Sequence, residues 1–249
     1  MGFQMKIIIL AGGFGGRFDE TRETAKPLIQ INGIPIIDRI LHQTRQIKEV
    51  EDTYVVTNNK FAQQFIRWRE GTSGSDQITI LNDKIDSWAQ RVGSVAAVEF
   101  ALNEAHIRND ILIIGGDNLF DFDLRKLALF FPSRGIAVPV YNVRDPTAAM
   151  KYSVVELGNE NRIIGLEEKP QKPKTTMITP CIYGFASEKI LLFRLYLDEG
   201  GDRDSLGRFM EWLLKRETVY GFPVTGKWVD VGDKESYKLA VGLFSGNLD

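Results

Sequence analysis

Two patterns of apolar residues alternate over the first 150 positions of the chain. Short runs rich in β-branched residues, beginning with residues 6–10, predict buried strands. Apolar residues spaced three and four apart, as over residues 35–48, predict amphipathic helices. The first pattern returns at residues 53–57, 77–81, 111–114 and 136–143, and the second returns at residues 61–68, 95–105 and 124–131. This βαβ alternation is typical of a Rossmann-like, mostly parallel sheet with helices on both faces.

The alternation changes near residue 152. Strand-like segments follow one another there with few helices between them, at residues 154–156, 163–168 and 178–185. Helices are predicted after them, at residues 187–198, 205–216 and 233–243. We therefore expect a single α/β domain over residues 1–249, in which the second part adds a small β-rich portion to the same sheet.

A glycine-rich segment follows the first predicted strand. Four glycines lie within residues 12–16, and two cations, Arg17 and Lys26, follow them. Glycine lets backbone N–H groups approach a ligand closely, and phosphate oxygens are their usual partners. A Walker loop is excluded because Arg17 and Phe18 stand where Lys and Ser or Thr are needed, and Phe18 also replaces the third glycine of a dinucleotide fingerprint. The segment predicts a polyphosphate site, with a plain surface turn as the alternative.

Two aspartates are candidate metal ligands. Asp117 follows the strand at residues 111–114 through two glycines, which places it at the carboxyl end of a strand, where open α/β sheets bind ligands. Mg²⁺ prefers one or two carboxylates together with phosphates, so Asp117 beside a triphosphate is a natural ligand. Asp230 lies between apolar residues, where a carboxylate needs a partner or a metal. The alternatives are a plain turn for Asp117 and a solvent-facing strand position for Asp230.

An acidic and basic cluster ends the strand predicted at residues 163–168. Lys169 can bind a phosphate, and Glu168 can accept hydrogen bonds from sugar hydroxyl groups. A solvated charge cluster is the alternative on spacing alone. The two histidines, His42 and His106, lie on predicted helices and are interpreted as surface residues, and the sequence contains no serine-hydrolase elbow or zinc-type spacing.

The composition of the chain limits the binding partners and the cellular compartment that we expect. The net charge is −2 and no basic run is present, so a nucleic-acid partner is not expected. The single Cys181 excludes an internal disulfide and fits a reducing compartment. The apolar run at residues 7–11 is too short for a signal peptide or a membrane span, so we expect a cytoplasmic protein without a membrane partner.

Taken together, these segments resemble the sugar-1-phosphate nucleotidyltransferases, with glucose-1-phosphate thymidylyltransferase-like enzymes as the nearest match. The resemblance spans roughly residues 5 to 240. The matching elements are Leu10, Ala11, Gly12, Gly13, Gly15, Arg17, Lys26 and Pro27, then residues 116–118, 166–170 and 228–232. Each motif is moderately specific alone, and their shared order makes the resemblance strong.

The resemblance implies an enzyme that joins a nucleoside triphosphate to a sugar-1-phosphate and releases pyrophosphate, with dTTP or UTP and glucose-1-phosphate as the preferred substrates. It implies a nucleotide-binding half over about residues 5–150 and a sugar-phosphate-binding half over about residues 151–245. Arg17 and Lys26 would be catalytic, and Asp117 and Asp230 would bind Mg²⁺. The implied nucleotide contacts are Leu10, Ala11, Gly12, Gly13, Gly15, Gly93 and Ser94, and the implied sugar-phosphate contacts are Tyr152, Glu168, Lys169 and Tyr183. Asn82 and Gln90 are further candidates for reading the base, and a homo-oligomer is compatible with this reading.

The chain departs from the thymidylyltransferase pattern at three places. Ser153 replaces a glycine between Tyr152 and Val154, Pro180-Cys181 replaces another glycine, and residues 83–89 look like an insertion near the base pocket. These departures leave the sugar and the base open. Two alternative functions remain: a non-catalytic regulatory relative with the same fold, and a cytidylyltransferase that acts on a non-sugar phosphate.

Overall fold

The computed structural model describes residues 4–14 and 23–246, without the side chain of Trp88, so Gly15 and Arg17 lie outside the described residues. The strands are β1 Met5–Leu10, β2 Gln30–Ile31, β3 Ile34–Pro35, β4 Val50–Thr57, β5 Ile78–Asn82, β6 Asp110–Gly115, β7 Asn118–Phe120, β8 Ile136–Asn142, β9 Ser153–Leu157, β10 Ile163–Glu168, β11 Met177–Thr179, β12 Ile182–Phe185, β13 Tyr220–Pro223 and β14 Trp228–Asp230. The helices are α1 Ile36–Thr44, α2 Ala62–Glu70, α3 Ser94–Glu104, α4 Arg125–Phe130, α5 Pro146–Ala149, α6 Leu191–Asp198, α7 Leu206–Leu213 and α8 Lys234–Leu243.

One large mixed sheet organises the described chain. Its strand order is β10-β9-β11-β8-β12-β6-β1-β4-β5, and β13 pairs with β8 beside this path. β5, β4, β1 and β6 run parallel to one another, and β13 runs parallel to β8. The successive pairs from β6 through β12, β8, β11 and β9 to β10 are antiparallel. The expected α/β class is therefore confirmed, and the β-rich second part of the chain lies in the same sheet as the first.

The central strand β1 explains how the two faces of the sheet are covered. Ile7 and Ile9 belong to one hydrophobic core and Ile8 to a second, because successive side chains of a strand point to opposite faces. Helices α1, α2, α4 and α8 contribute apolar residues to the first core, and α3, α6 and α7 contribute to the second. None of the described helices combines the length and the apolar character needed to cross a membrane.

Three element predictions were wrong in detail. The strand expected over residues 178–185 is two strands, β11 and β12, because Pro180 lacks an N–H for the ladder. Helix α6 begins at Leu191, after a 3₁₀ turn over Ser187–Lys189, rather than at residue 187. Strand β13 was not predicted, since it is only four residues long and contains a glycine and a proline, both weak strand formers.

Two glycines bring the ends of β1 and β6 together. Leu10 and Gly115 are paired in register, and the Gly116 N–H donates to the Leu10 carbonyl at 2.9 Å. A Cβ atom on Gly116 would lie 2.7 Å from Cγ of Pro27 and 2.8 Å from the Leu10 carbonyl oxygen. Only glycine permits this approach, which places the turn at Lys26–Leu28 against the residues that follow β6.

Candidate active site

A cleft of about 1110 Å³ opens where β1 and β6 end. Nine of the residues predicted from the sequence line it: Gly13, Lys26, Ser94, Asp117, Tyr152, Glu168, Lys169, Tyr183 and Asp230. Six other predicted residues lie in the described chain but not on the cleft wall: Leu10, Ala11, Gly12, Asn82, Gln90 and Gly93. Gly15 and Arg17 are outside the described residues.

Lys26 faces Asp117 across the cleft floor. Its ammonium nitrogen lies 3.6 Å from Oδ2 of Asp117, and the two side chains are 17% and 32% exposed. Pro27 is buried and supplies the fixed φ of the turn that carries Lys26. The amine is therefore held on a short rigid turn, close enough to a carboxylate to pair with it when no other charge is present.

Asp117 and Asp230 are brought together by a small antiparallel ladder. Strands β7 and β14 pair so that Asn118 is opposite Asp230, and the Val231 N–H donates to the Asp117 carbonyl at 2.9 Å. Two aspartates more than a hundred residues apart therefore face one cleft. Within the described residues no cluster of three or more metal-binding side chains forms. A pair of carboxylates fits Mg²⁺ better than Zn²⁺, because Mg²⁺ completes its shell with water and substrate phosphates.

The side chain of Asn118 stabilises this ladder through hydrogen bonds. It was not predicted as a site residue. It is 2% exposed, and its Oδ1 accepts from Trp228 Nε1 at 2.9 Å and from the Cys181 N–H at 3.2 Å. Its Nδ2 donates to Oδ1 of Asp117 at 3.2 Å. The asparagine therefore joins β7 and β14 to the start of β12 and orients the Asp117 carboxylate. Its place in the motif at residues 116–118 was the only sequence signal for it.

Cys181 is a partly exposed residue that lines the cleft near the two aspartates. Burial raises the pKa of its thiol, and the negative charges of Asp117 and Asp230 raise it further. A thiol held protonated in this way is a poor nucleophile and a poor metal ligand. Cys181 therefore serves as a packed part of the cleft floor.

A second group of predicted residues forms another part of the cleft wall. The Ser153 hydroxyl donates to Oε2 of Glu168 at 2.5 Å, and the Lys169 amine lies 3.3 Å from Oε1 of the same carboxylate. The Glu168 side chain is 15% exposed, whereas that of Lys169 is 55% exposed. Glu168 is thus fixed in the wall, and Lys169 can reach into the cleft toward an anion.

The two predicted tyrosines differ in accessibility. Tyr183 is 4% exposed, and burial raises the pKa of its hydroxyl well above the usual value. Tyr152 is half-buried and packs edge-on against Trp228, with ring centroids 4.9 Å apart. Tyr183 is therefore part of the cleft floor, while the ring of Tyr152 forms part of its side.

The beginning of α3 is tied to another loop. Gly93 has φ +89°, and a Cβ atom there would lie 2.4 Å from the carbonyl oxygen of Arg203. That carbonyl accepts from the Val95 N–H at 3.0 Å, and the Ser94 hydroxyl donates to the Asp204 carbonyl. The first amide groups of α3 therefore hold the loop before α7, next to the two residues, Gly93 and Ser94, that were predicted to contact a nucleotide. Ser94 still lines the cleft, and Gly93 serves the turn.

The residues after β1 pack against the ends of β4 and β5. Asn58 donates to the Gly12 carbonyl at 2.8 Å, and the Asp83 carboxylate lies 4.0 Å from the position a Cβ on Gly12 would take. Burial raises the pKa of Asp83. Asn82 instead donates to Asn59 at 3.0 Å, and Gln90 accepts from Ser87 at 3.1 Å.

Several polar residues of the cleft were not predicted. The cations are Lys60, Arg91 and Lys151, and the carboxylates are Asp86, Asp202 and Asp204. Lys60 follows the carboxyl end of β4, and that position was the one usable sequence signal for it. The others come from loops that have no recognisable motif.

Comparison with known proteins gives the family. The sequence model of the Nucleotidyl transferase family matches residues 6–242. The chain belongs to the nucleotidyl transferase family. It is 31% identical over 232 residues to the bifunctional protein GlmU of Methanocaldococcus jannaschii, a match that covers 92% of this chain and 51% of the relative. It is 26% identical to the glucose-1-phosphate adenylyltransferase of Rhodopirellula baltica, over 94% of this chain and 58% of the relative.

A solved structure shows the same fold. This nucleotidyl transferase chain superposes on a putative glucose-1-phosphate thymidylyltransferase from Bacillus anthracis, crystallised with sucrose, with a TM-score of 0.80 and 25% identity over 98% of both chains. The chain spans about half the length of the curated relatives it matches. Because the relatives are named for different nucleotides, family membership alone does not identify the base.

Proposed function

We propose that the protein transfers a nucleotidyl group from a nucleoside triphosphate to a sugar-1-phosphate and releases pyrophosphate. The observation that carries this proposal is one cleft lined by two groups of residues, Lys26, Asp117 and Asp230 in the first and Glu168 and Lys169 in the second. Lys26 can pair with a polyphosphate, Asp117 and Asp230 can hold the Mg²⁺ that accompanies it, and Glu168 and Lys169 suit a phosphorylated sugar. Membership of the nucleotidyl transferase family supports the same reaction class.

The reaction needs positioning and charge neutralisation more than covalent catalysis. A sugar phosphate oxygen attacks the α-phosphorus in line, the bond to the bridging oxygen breaks, and pyrophosphate leaves with the electron pair. Lys26 sits on a rigid turn and would stabilise the charge that develops on the α-phosphate and the bridging oxygen. Arg17, outside the described residues, is expected to hold the β- and γ-phosphates.

Asp117 and Asp230 are the residues that would hold Mg²⁺. When bound, the ion would neutralise phosphate charge and help to fix the triphosphate. Lys26 pairs with Asp117 at 3.6 Å in the described structure, so this amine keeps the carboxylate partly neutralised beforehand. Lys169 would place the attacking phosphate, and Glu168 would accept a hydrogen bond from the sugar.

The preferred substrates remain dTTP or UTP and glucose-1-phosphate. The thymidylyltransferase with the same fold supports this choice, and the adenylyltransferase among the relatives shows that it needs a test. We expect the reaction to take place in the cytoplasm, and a homo-oligomer remains compatible with it.

The test is a matrix of five nucleoside triphosphates against glucose-, N-acetylglucosamine- and mannose-1-phosphate, with Mg²⁺ and pyrophosphate release as the readout. Phosphocholine with CTP is included as the arm for a non-sugar acceptor. The control is the double variant Asp117→Asn/Asp230→Asn, which should be folded and inactive. One productive sugar pair supports the proposal. Release with phosphocholine alone supports the cytidylyltransferase, and no release from any pair supports a non-catalytic relative; both outcomes overturn the proposal.

A further inference from the structure

Ser153 and Glu168 are neighbours on one rung of the sheet. Strands β9 and β10 pair so that the two residues are directly opposite, and their side chains therefore point to the same face. The Ser153 hydroxyl donates to Oε2 of Glu168, and Ser153 itself is only 6% exposed. A buried hydroxyl group therefore uses its one hydrogen-bond donor on one oxygen of a carboxylate that lines the cleft.

Helix α7 closes the same pair from the other side. A Cβ atom on Gly207 would lie 2.0 Å from Oε2 of Glu168 and 2.5 Å from the Ser153 hydroxyl oxygen. One turn further, Oε1 of Glu211 accepts from the Glu168 N–H at 2.8 Å. The backbone of Gly207 is therefore packed directly on the pair, and the carboxylate has no room to rotate toward α7.

The remaining hydrogen-bonding capacity of the carboxylate is well defined. Oε2 is engaged by Ser153, and Oε1 lies 3.3 Å from the exposed amine of Lys169. An ionised carboxylate has about four acceptor sites and no donor. What it offers to the cleft is therefore acceptor capacity only, at a fixed position next to a cation. A sugar hydroxyl satisfies that position, whereas a group without a proton to donate does not.

We propose that Ser153 is a positioning residue, whose hydroxyl holds the Glu168 carboxylate in the orientation that accepts a hydrogen bond from a sugar hydroxyl. The inference rests on the proposed function and deepens it, because it makes the wall residue Ser153 a determinant of sugar affinity. The hydroxyl that binds Glu168 belongs to the acceptor substrate, so the triphosphate site is not involved.

A structural role for Ser153 makes a different prediction from a positioning role. If Ser153 only packs β9 against β10, its loss lowers stability and changes the kinetic constants for both substrates or for neither. If it positions Glu168, its loss raises KM for the sugar phosphate alone, and it has no further effect in a variant in which Glu168 is replaced by glutamine. A double-mutant cycle separates the two roles, since coupled residues give non-additive effects.

The experiment measures KM for the sugar-1-phosphate and for the triphosphate in Ser153→Ala, Glu168→Gln and the double variant. Ser133→Ala, which removes an exposed hydroxyl outside the cleft, is the matched control. We expect Ser153→Ala to raise KM for the sugar phosphate about tenfold, because a hydrogen bond to a charged group is lost. KM for the triphosphate should stay within about twofold. KM for the sugar phosphate in the double variant should be no higher than in Glu168→Gln alone.

Each other outcome has a definite meaning. An unchanged sugar-phosphate KM in folded Ser153→Ala, equal shifts for both substrates, or additive effects in the double variant overturn the inference while leaving the proposed function in place. No pyrophosphate release by the wild-type protein overturns both. Should Ser153→Ala fail to fold, as judged by circular dichroism, Ser153→Gly removes the same oxygen. The cycle is then completed with Ser153→Gly and Glu168→Gln, and the same selective rise in sugar-phosphate KM and the same non-additivity are expected.

Discussion

Replacing Lys26 by methionine should tighten metal binding and slow turnover in the same variant. The Lys26 amine lies 3.6 Å from Oδ2 of Asp117, and the side chains are 17% and 32% exposed. Methionine keeps most of the aliphatic stem and removes the charge. A partly solvated ion pair stabilises a fold by about 0–1 kcal/mol, so Lys26→Met should remain folded with a similar melting temperature.

The expected gain in metal affinity follows from that distance. At 3.6 Å, two unit charges attract each other by about 1 kcal/mol in a water-like dielectric. A divalent cation that binds Asp117 has to displace this attraction. Without the amine, the affinity for Mn²⁺ should therefore rise about fivefold, since 1.4 kcal/mol corresponds to a factor of ten. Turnover should fall by roughly 10²–10³, the usual loss when one preorganised charge-stabilising group is removed.

Calorimetry with Mn²⁺ and no nucleotide gives the affinity, and pyrophosphate release at saturating substrates gives the turnover. Lys60→Met is the control, because Lys60 lines the same cleft but lies over the Phe61 ring, 5.1 Å from its centroid. Its Mn²⁺ affinity should match the wild type. Normal turnover in Lys26→Met would remove the amine from the mechanism. Weaker Mn²⁺ binding would show that the pair with Asp117 does not compete with a metal.

The central strand and the positions after it were predictable because their signals are local. The run at residues 6–10 is apolar at every position except Lys6, which is typical of a central parallel strand. The convergence of Asp117 and Asp230 on one cleft was also expected. The strand pairing that brings them together was not expected, since β7 and β14 have three residues each, too few to leave a recognisable pattern.

The remaining contacts depend on which strands become neighbours. Ser153 meets Glu168 only because β9 and β10 pair in one particular register, and a shift of one residue would turn the serine away. Gly207 meets the same carboxylate only after α7 has docked on β10. Neither the serine nor the glycine carries a sequence signal for this contact. The wall residues predicted individually from sequence are therefore organised by long-range pairing that sequence patterns do not report.

Three other perturbations test the site and its supports. Asp230→Asn should raise the Mg²⁺ concentration that gives half-maximal rate about tenfold or more, because loss of a residue that only hydrogen-bonds to a metal ligand already lowers affinity by that factor. An unchanged Mg²⁺ concentration at half-maximal rate would exclude Asp230 as a ligand. Gly207→Ala should lower the free energy of unfolding by about 1–3 kcal/mol through overpacking against Glu168. Gly242→Ala on α8, where nothing lies within 4 Å of the added Cβ, should raise it by up to about 1 kcal/mol; urea denaturation compares the two, and equal signs would contradict the packing. Burial and two nearby carboxylates raise the pKa of Cys181, so the native thiol stays protonated. The rate of its alkylation by iodoacetamide should therefore barely rise between about pH 7 and 9. The unfolded chain has an ordinary thiol pKa near 8.5, so its alkylation should accelerate over the same range. Since the chain has one cysteine, mass spectrometry reports this site alone, and a native alkylation rate that rises with pH as steeply as that of the unfolded chain would contradict the raised pKa.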